Sequence, residues 1–166
     1  MPALIVDRFT DDSIAQFRAS ACIRNEDAKI LADSGRGAAA IYLWGYVAEM
    51  ILKAACFTLL GYRKTQPISM HDLRSAHKLA TDIHRIQWSG SFHDLSRWAQ
   101  LLIQHSIKLG RGHPDSDFSK DVIEHSERIY ERWREIMRYK KNRAYPAETG
   151  AVARSTEWLL TNSLRL

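Results

Sequence analysis

The chain has 166 residues, 45% of them hydrophobic and 26% charged, with eight glycines, four prolines and a formal net charge of +5. That composition excludes disordered, collagen-like and linker-dominated chains. At this length folding hides roughly 70% of the surface an extended chain exposes, so neither a disulfide nor a metal is needed to hold a core, and one domain is expected.

No Asn-Gly or Asp-Gly hairpin turn and no sustained apolar/polar alternation occurs, so the elements read as helices. Asp7, Arg8, Asp11 and Asp12 interrupt any leader pattern at the start. A first helix is expected from about Asp11 to Ala32, capped by Asp11, Asp12 or Ser13, with Ile14, Phe17, Ala21, Ala28 and Leu31 at helical spacing. Ser34-Gly35-Arg36-Gly37 breaks it. The second helix, about Ala38 to Leu60, is apolar nearly all round and so belongs at the centre of a bundle. Its small residues, among them Ala38 to Ala40, Gly45, Ala48, Ala54 and Ala55, leave room for neighbouring helices or a partner subunit. Its apolar tract, residues 37–48, is closed by Glu49 and Lys53, short of the about 20 apolar residues a bilayer requires. Cys22 and Cys56 fall on these two helices without forming a framework, and read as core thiols of a reduced, cytoplasmic protein.

A third helix is expected from Ser69 or Asp72 to about Ile86, a fourth from about Ser91 to Leu109, and a fifth from about Asp117 to Tyr139 beyond Gly110, Gly112 and Pro114. Val122, Ile129, Trp133, Ile136 and Met137 form the fifth helix's apolar stripe. Pro146 disfavours helix at Tyr145, and a sixth helix follows from about Glu148 to Leu164. The fold class is therefore all-α, a single-domain bundle of five to six helices.

Charge is concentrated at the close of the fifth helix. Between Arg132 and Arg143 lie six basic residues (Arg132, Arg134, Arg138, Lys140, Lys141, Arg143) and one acid, Glu135, so this stretch carries the whole net charge and the rest of the chain sums to zero. A neutral body with one basic cluster is the pattern of an anion site, for phosphate or RNA backbone; the plainer reading is a solvated helix end favoured by the macrodipole.

The common enzymatic signatures are missing: no GxxxxGK, GxGxxG, GxSxG, HExxH or Cys-x-x-Cys occurs. Seven histidines (His71, His77, His84, His93, His105, His113, His125) include His77 and His84 two turns apart, but no third ligand at compatible spacing accompanies them, so neither metal nor cofactor is expected. Glu49 and Lys53 lie four apart in the most apolar helix, and form either a mutually satisfied pair or the polar floor of a cleft. Trp44, Trp98, Trp133 and Trp158 read as core.

Gly45-Tyr46-Val47-Ala48-Glu49-Met50-Ile51-Leu52-Lys53-Ala54, followed downstream by His71-Asp72-Leu73, resembles the HEPN superfamily of small prokaryotic α-helical proteins. The resemblance spans about residue 11 to the sixth helix. It implies a homodimer and, in many members, metal-independent ribonuclease activity carried by an R-x4-6-H pattern, with a nucleotidyltransferase antitoxin as partner in the toxin branch. Here no arginine is followed by histidine at that spacing. Arg138-Tyr139-Lys140-Lys141-Asn142-Arg143-Ala144-Tyr145 is an R-x4-R-x-Y, so Arg138 and Tyr145 match, Arg143 stands at the histidine position, and Tyr145 corresponds to a tyrosine that is modified in some toxin relatives. Arginine stays protonated and cannot serve as a base, but it holds phosphate through paired hydrogen bonds.

The expectation is a non-catalytic module that binds RNA, a nucleotide or a partner protein through Arg134, Arg138, Lys140, Lys141, Arg143 and Tyr145, beside a polar core of Glu49, Lys53, His71 and Asp72. A ribonuclease using a histidine outside the motif, His71 or His77, is the enzymatic alternative, with a role in capping or a core hydrogen bond as His71's plainer reading. A structural dimerisation subunit is the third.

Overall fold

A computed structural model describes residues 11–113, 115–141 and 143–166. Asp7 and Arg8 of the opening, Pro114 and Asn142 of the basic stretch lie outside the described residues. Within them the chain is all-helical, with no strand: α1 (Ile14–Asp33), α2 (Gly37–Leu59), α3 (Met70–Lys78), α4 (Leu95–Lys108), α5 (Ser116–Tyr130) and α6 (Pro146–Thr161), plus a π-turn at Leu79–Ile83 and a 3-10 turn at Glu135–Tyr139.

Ser13 starts α1, its hydroxyl accepting from the Gln16 amide at 3.2 Å. Phe17, Ala21 and Ala28 face inward, and Asn25 among them accepts a hydrogen bond from the Trp44 indole at 3.0 Å, pinning α1 to α2. Cys22 departs from expectation. One residue past Ala21 it has rotated about 100° from the inner stripe and is exposed, whereas Cys56 is buried, with burial pushing its thiol pKa up.

As its all-round apolarity required, α2 is the centre of the bundle, packed by α1, α4 and α6 and touched by α5. Length and composition would let this helix cross a membrane, but 78% of its most apolar window is buried inside the protein. Gly45, Ala48, Ala54 and Ala55 are buried too, so the close approach they permit is used by this chain's own elements.

Two helices end earlier than their patterns suggest. The third stops at Lys78 and widens into the π-turn, so His77 and His84 take different partners. The His77 Nε2 donates to the Trp88 carbonyl at 2.9 Å, and His84 meets His105. The fifth stops at Tyr130, nine residues short of Tyr139. A tertiary anchor overrides local propensity here. The Trp133 indole is fully buried, donates to the Tyr42 carbonyl at 3.0 Å, and lies so close over Gly45 that no side chain fits between them. Binding Trp133 to α2 pulls the chain off the α5 axis; Arg134 is extended, and Ile136, expected to face inward, is 52% exposed. Pro146 then occupies the first turn of α6, where its missing N–H costs nothing.

Candidate phosphate-binding site

The charged stretch is an irregular segment rather than a helix end, and Trp133 hangs it beside the N-terminus of α2. Two adjoining grooves result, sharing Ala38 and Ala39. One, of about 240 Å³, is lined by Ala38, Ala39, Tyr42, Met137, Arg138 and Lys140. The other, of about 480 Å³, has Arg36, Ala38, Ala39, Arg143 and Tyr145 among its lining. Gly37 lets the two walls meet, because a side chain there would collide with Thr149 on α6.

The helix end between the grooves is open. Arg36, at the N-cap, makes no side-chain capping bond, and the first amides of any α-helix lack intrahelical acceptors. Ala38 and Ala39 carry only methyl side chains there; Ala38 is half-buried and Ala39 exposed. The positive pole of a 23-residue helix therefore lies between a groove lined by Arg36 and Arg143 and one lined by Arg138 and Lys140. Arg138 shares its groove with Tyr42. Lys141 is exposed beside this set.

Two expected members are turned elsewhere. Arg134 lies 3.5 Å over the Tyr130 ring and donates to the Trp133 carbonyl at 2.6 Å, and it lines neither groove. Arg132, counted in the charge cluster, pairs with Glu131 at 2.9 Å and caps the α5 carbonyl of Arg128. Arg36 takes their place. Sequence reading missed it because the Gly-Arg-Gly context was read only as a break; its position directly before a long, small-residue helix start was the available signal.

The proposed polar core divides in two. Glu49 and Lys53 form a buried pair at 2.5 Å, and the second Glu49 carboxylate oxygen accepts from His93 Nδ1 at 2.7 Å. His93 stands in the segment before α4, its side chain 37% exposed, with its ring edge-on to Tyr46 and to Trp133. Since a carboxylate only accepts, Nδ1 carries a proton, and in the neutral ring Nε2 is the lone-pair nitrogen; Nε2 has no hydrogen-bond partner among the described residues. Tyr46 in turn contacts the Tyr42 hydroxyl at 3.3 Å, and Tyr42 lines the groove of Arg138. Burial, then the Tyr42 hydrogen bond, push the Tyr46 phenol pKa up, so it stays a neutral hydroxyl.

His71 and Asp72 are not part of this core. Asp72 serves the capping box of α3 with Ser69, accepts from Tyr62 at 2.7 Å, and has its pKa lowered to about 2, chiefly by the Ser69 hydroxyl. His71 is exposed on α3. His93 escaped sequence reading because it lies 44 positions from Glu49 and in no helix pattern. Among the described residues no group of three or more metal-ligating side chains assembles. No protein-family model matches the chain, and neither a curated protein nor a solved structure matches it.

Proposed function

We propose that this protein is a HEPN-like, non-catalytic helical module of the cytoplasm that binds the phosphates of RNA or of a nucleotide. The observation that carries the reading is the meeting of Arg36 with Arg138, Lys140 and Arg143, from two chain segments about a hundred residues apart, at the uncapped start of α2. Charges drawn from distant positions onto free amides are what a phosphate requires, and a solvated helix end does not need them. A homodimer would double the patch, and a nucleotidyltransferase-type partner is the protein ligand that the resemblance implies.

Titrating a short single-stranded RNA at two ionic strengths tests it. Wild-type affinity is expected to fall steeply with salt, each phosphate contact contributing a slope of about 0.7 in the log–log plot. Arg138→Ala with Arg143→Ala is expected to bind more weakly and with a shallower slope. Equal affinity for both proteins at both salts overturns the proposal and leaves the structural subunit.

The Glu49–His93 dyad favours one second reading, a metal-independent ribonuclease whose base is His93 rather than His71 or His77. A carboxylate-oriented imidazole with a free Nε2 can take the proton of an RNA 2′-hydroxyl. The 2′-oxygen then bonds to phosphorus, the P–O5′ bond breaks, the 5′-oxygen takes a proton from water, and the imidazolium releases its own to solvent. Incubation with RNA in chelator is expected to give 2′,3′-cyclic phosphate ends with wild type and His71→Ala and none with His93→Ala. Intact RNA throughout, or cleavage that survives His93→Ala, removes this reading.

A further inference from the structure

Tyr139 and Tyr145 stand apart from every other aromatic residue described. Each is 73% exposed, and they are the only aromatic side chains among the large, strongly exposed hydrophobic residues. Both belong to the basic segment. Tyr145 helps to line the groove of Arg36 and Arg143, and Tyr139 directly follows Arg138, whose guanidinium lies 4.7 Å from its ring centre. Elsewhere the chain buries its rings: Trp44, Trp88, Trp98 and Trp133 are all at or below 5% exposure. Leaving two phenol rings in water costs apolar hydration that nothing in the packing offsets.

Neither ring has a fold-building role that would explain its exposure. Tyr145 holds the N-cap of α6 through its backbone, whose amide donates to Glu148 at 2.8 Å, a service any non-proline residue performs. The Tyr139 ring lies against the neighbouring arginine in its own turn. Phosphate alone does not call for aromatic surface; a nucleobase does, because every base has a π-face, and arginine beside the ring adds to the stacking surface. In a duplex those faces are already covered by neighbouring bases. Unpaired bases are free to leave the strand's own stack.

Resting on the phosphate-binding reading and deepening it, we infer that the ligand is an unpaired nucleic-acid strand, with Tyr139 and Tyr145 as base-stacking platforms flanking the phosphate-holding cations. Selection for single strands then comes from the tyrosines, while affinity for charge comes from the arginines and Lys140.

The test compares three probes by competition against a labelled oligoadenylate: the unlabelled oligoadenylate, a fully paired RNA duplex of the same length, and inorganic polyphosphate of matched charge. The oligoadenylate is expected to compete about tenfold or more better than either of the others. Tyr139→Ala and Tyr145→Ala are each expected to lose about tenfold for the oligoadenylate and nothing for polyphosphate, whereas Tyr139→Phe and Tyr145→Phe keep wild-type binding. Both tyrosines are exposed, so these variants fold. If duplex or polyphosphate competes as well as the single strand, or the alanine variants bind it unchanged, stacking is overturned while phosphate binding stands. If no probe competes and the oligoadenylate itself does not bind, both fall together.

Discussion

Gly45 and Trp133 show how one missing side chain sets the position of a charged surface. The Trp133 ring occupies the volume in which a Cβ at Gly45 would lie, and its indole N–H is satisfied by the Tyr42 carbonyl, three residues back along α2. Gly45→Ala therefore has no small adjustment available: the ring must move, leaving a buried N–H without its partner and a void where it packed. The expected cost is at least about 2 kcal/mol, read as a lowered denaturation midpoint with an altered near-ultraviolet tryptophan signal. Since glycine within a helix is otherwise unfavourable, an unchanged or raised midpoint would show that Trp133 is not the anchor of the segment carrying Arg138. Glu49 illustrates the opposite economy at the same scale. Its buried carboxylate is tolerable because both oxygens are engaged, one by Lys53 and one by His93.

At the scale of the element, α3 and its π-turn are joined to the rest by specific polar contacts: Tyr62 with Asp72, His77 with the Trp88 carbonyl, and His84 Nε2 with His105 Nδ1 at 3.1 Å. The last is sensitive to pH. Burial, followed by His105 and Lys108, lowers the His84 pKa; burial, followed by Lys108, lowers that of His105. A folded state that prefers neutral imidazoles loses ground to an unfolded chain that protonates first. Stability is thus complete above about pH 6.5 and declines as pH falls from there toward the lowered folded values. Melting temperature is expected to drop between about pH 7 and pH 5, and to drop less steeply in His105→Gln. Identical pH profiles for the two proteins would show that this contact does not couple the π-turn to α4. The capping box of α3 adds a separate acid limit, because Asp72 stabilises the fold above about pH 4 and ceases to do so as pH falls toward 2.

For the molecule as a whole, the helical architecture was legible because hydrophobic spacing reports burial directly: α1, α2, α4 and α6 fall within a few residues of their expected ends, and α2 is central as its composition demanded. What periodicity could not reveal was tertiary override. Val122, Ile129, Trp133, Ile136 and Met137 keep a helical rhythm to Tyr139, but the Trp133 anchor breaks the helix within that run and turns Ile136 outward. The basic cluster was legible as charge, yet its composition was not: Arg36 joins it across the fold, and Arg134 leaves it for Tyr130. Likewise the Glu49–Lys53 pair follows from helical spacing, while His93, from a loop, becomes visible only when the chain has closed. Local pattern finds elements; sites made between elements need the packed molecule.

The two grooves meet over Ala38 and Ala39 with walls supplied by the α1–α2 turn and by the segment between α5 and α6. No fragment of the polypeptide owns this feature. During synthesis the start of α2 emerges long before Arg138, Lys140 and Arg143, so a half-made chain carries the helix end without most of its cations, and the paired grooves take shape only when the segment after α5 has followed.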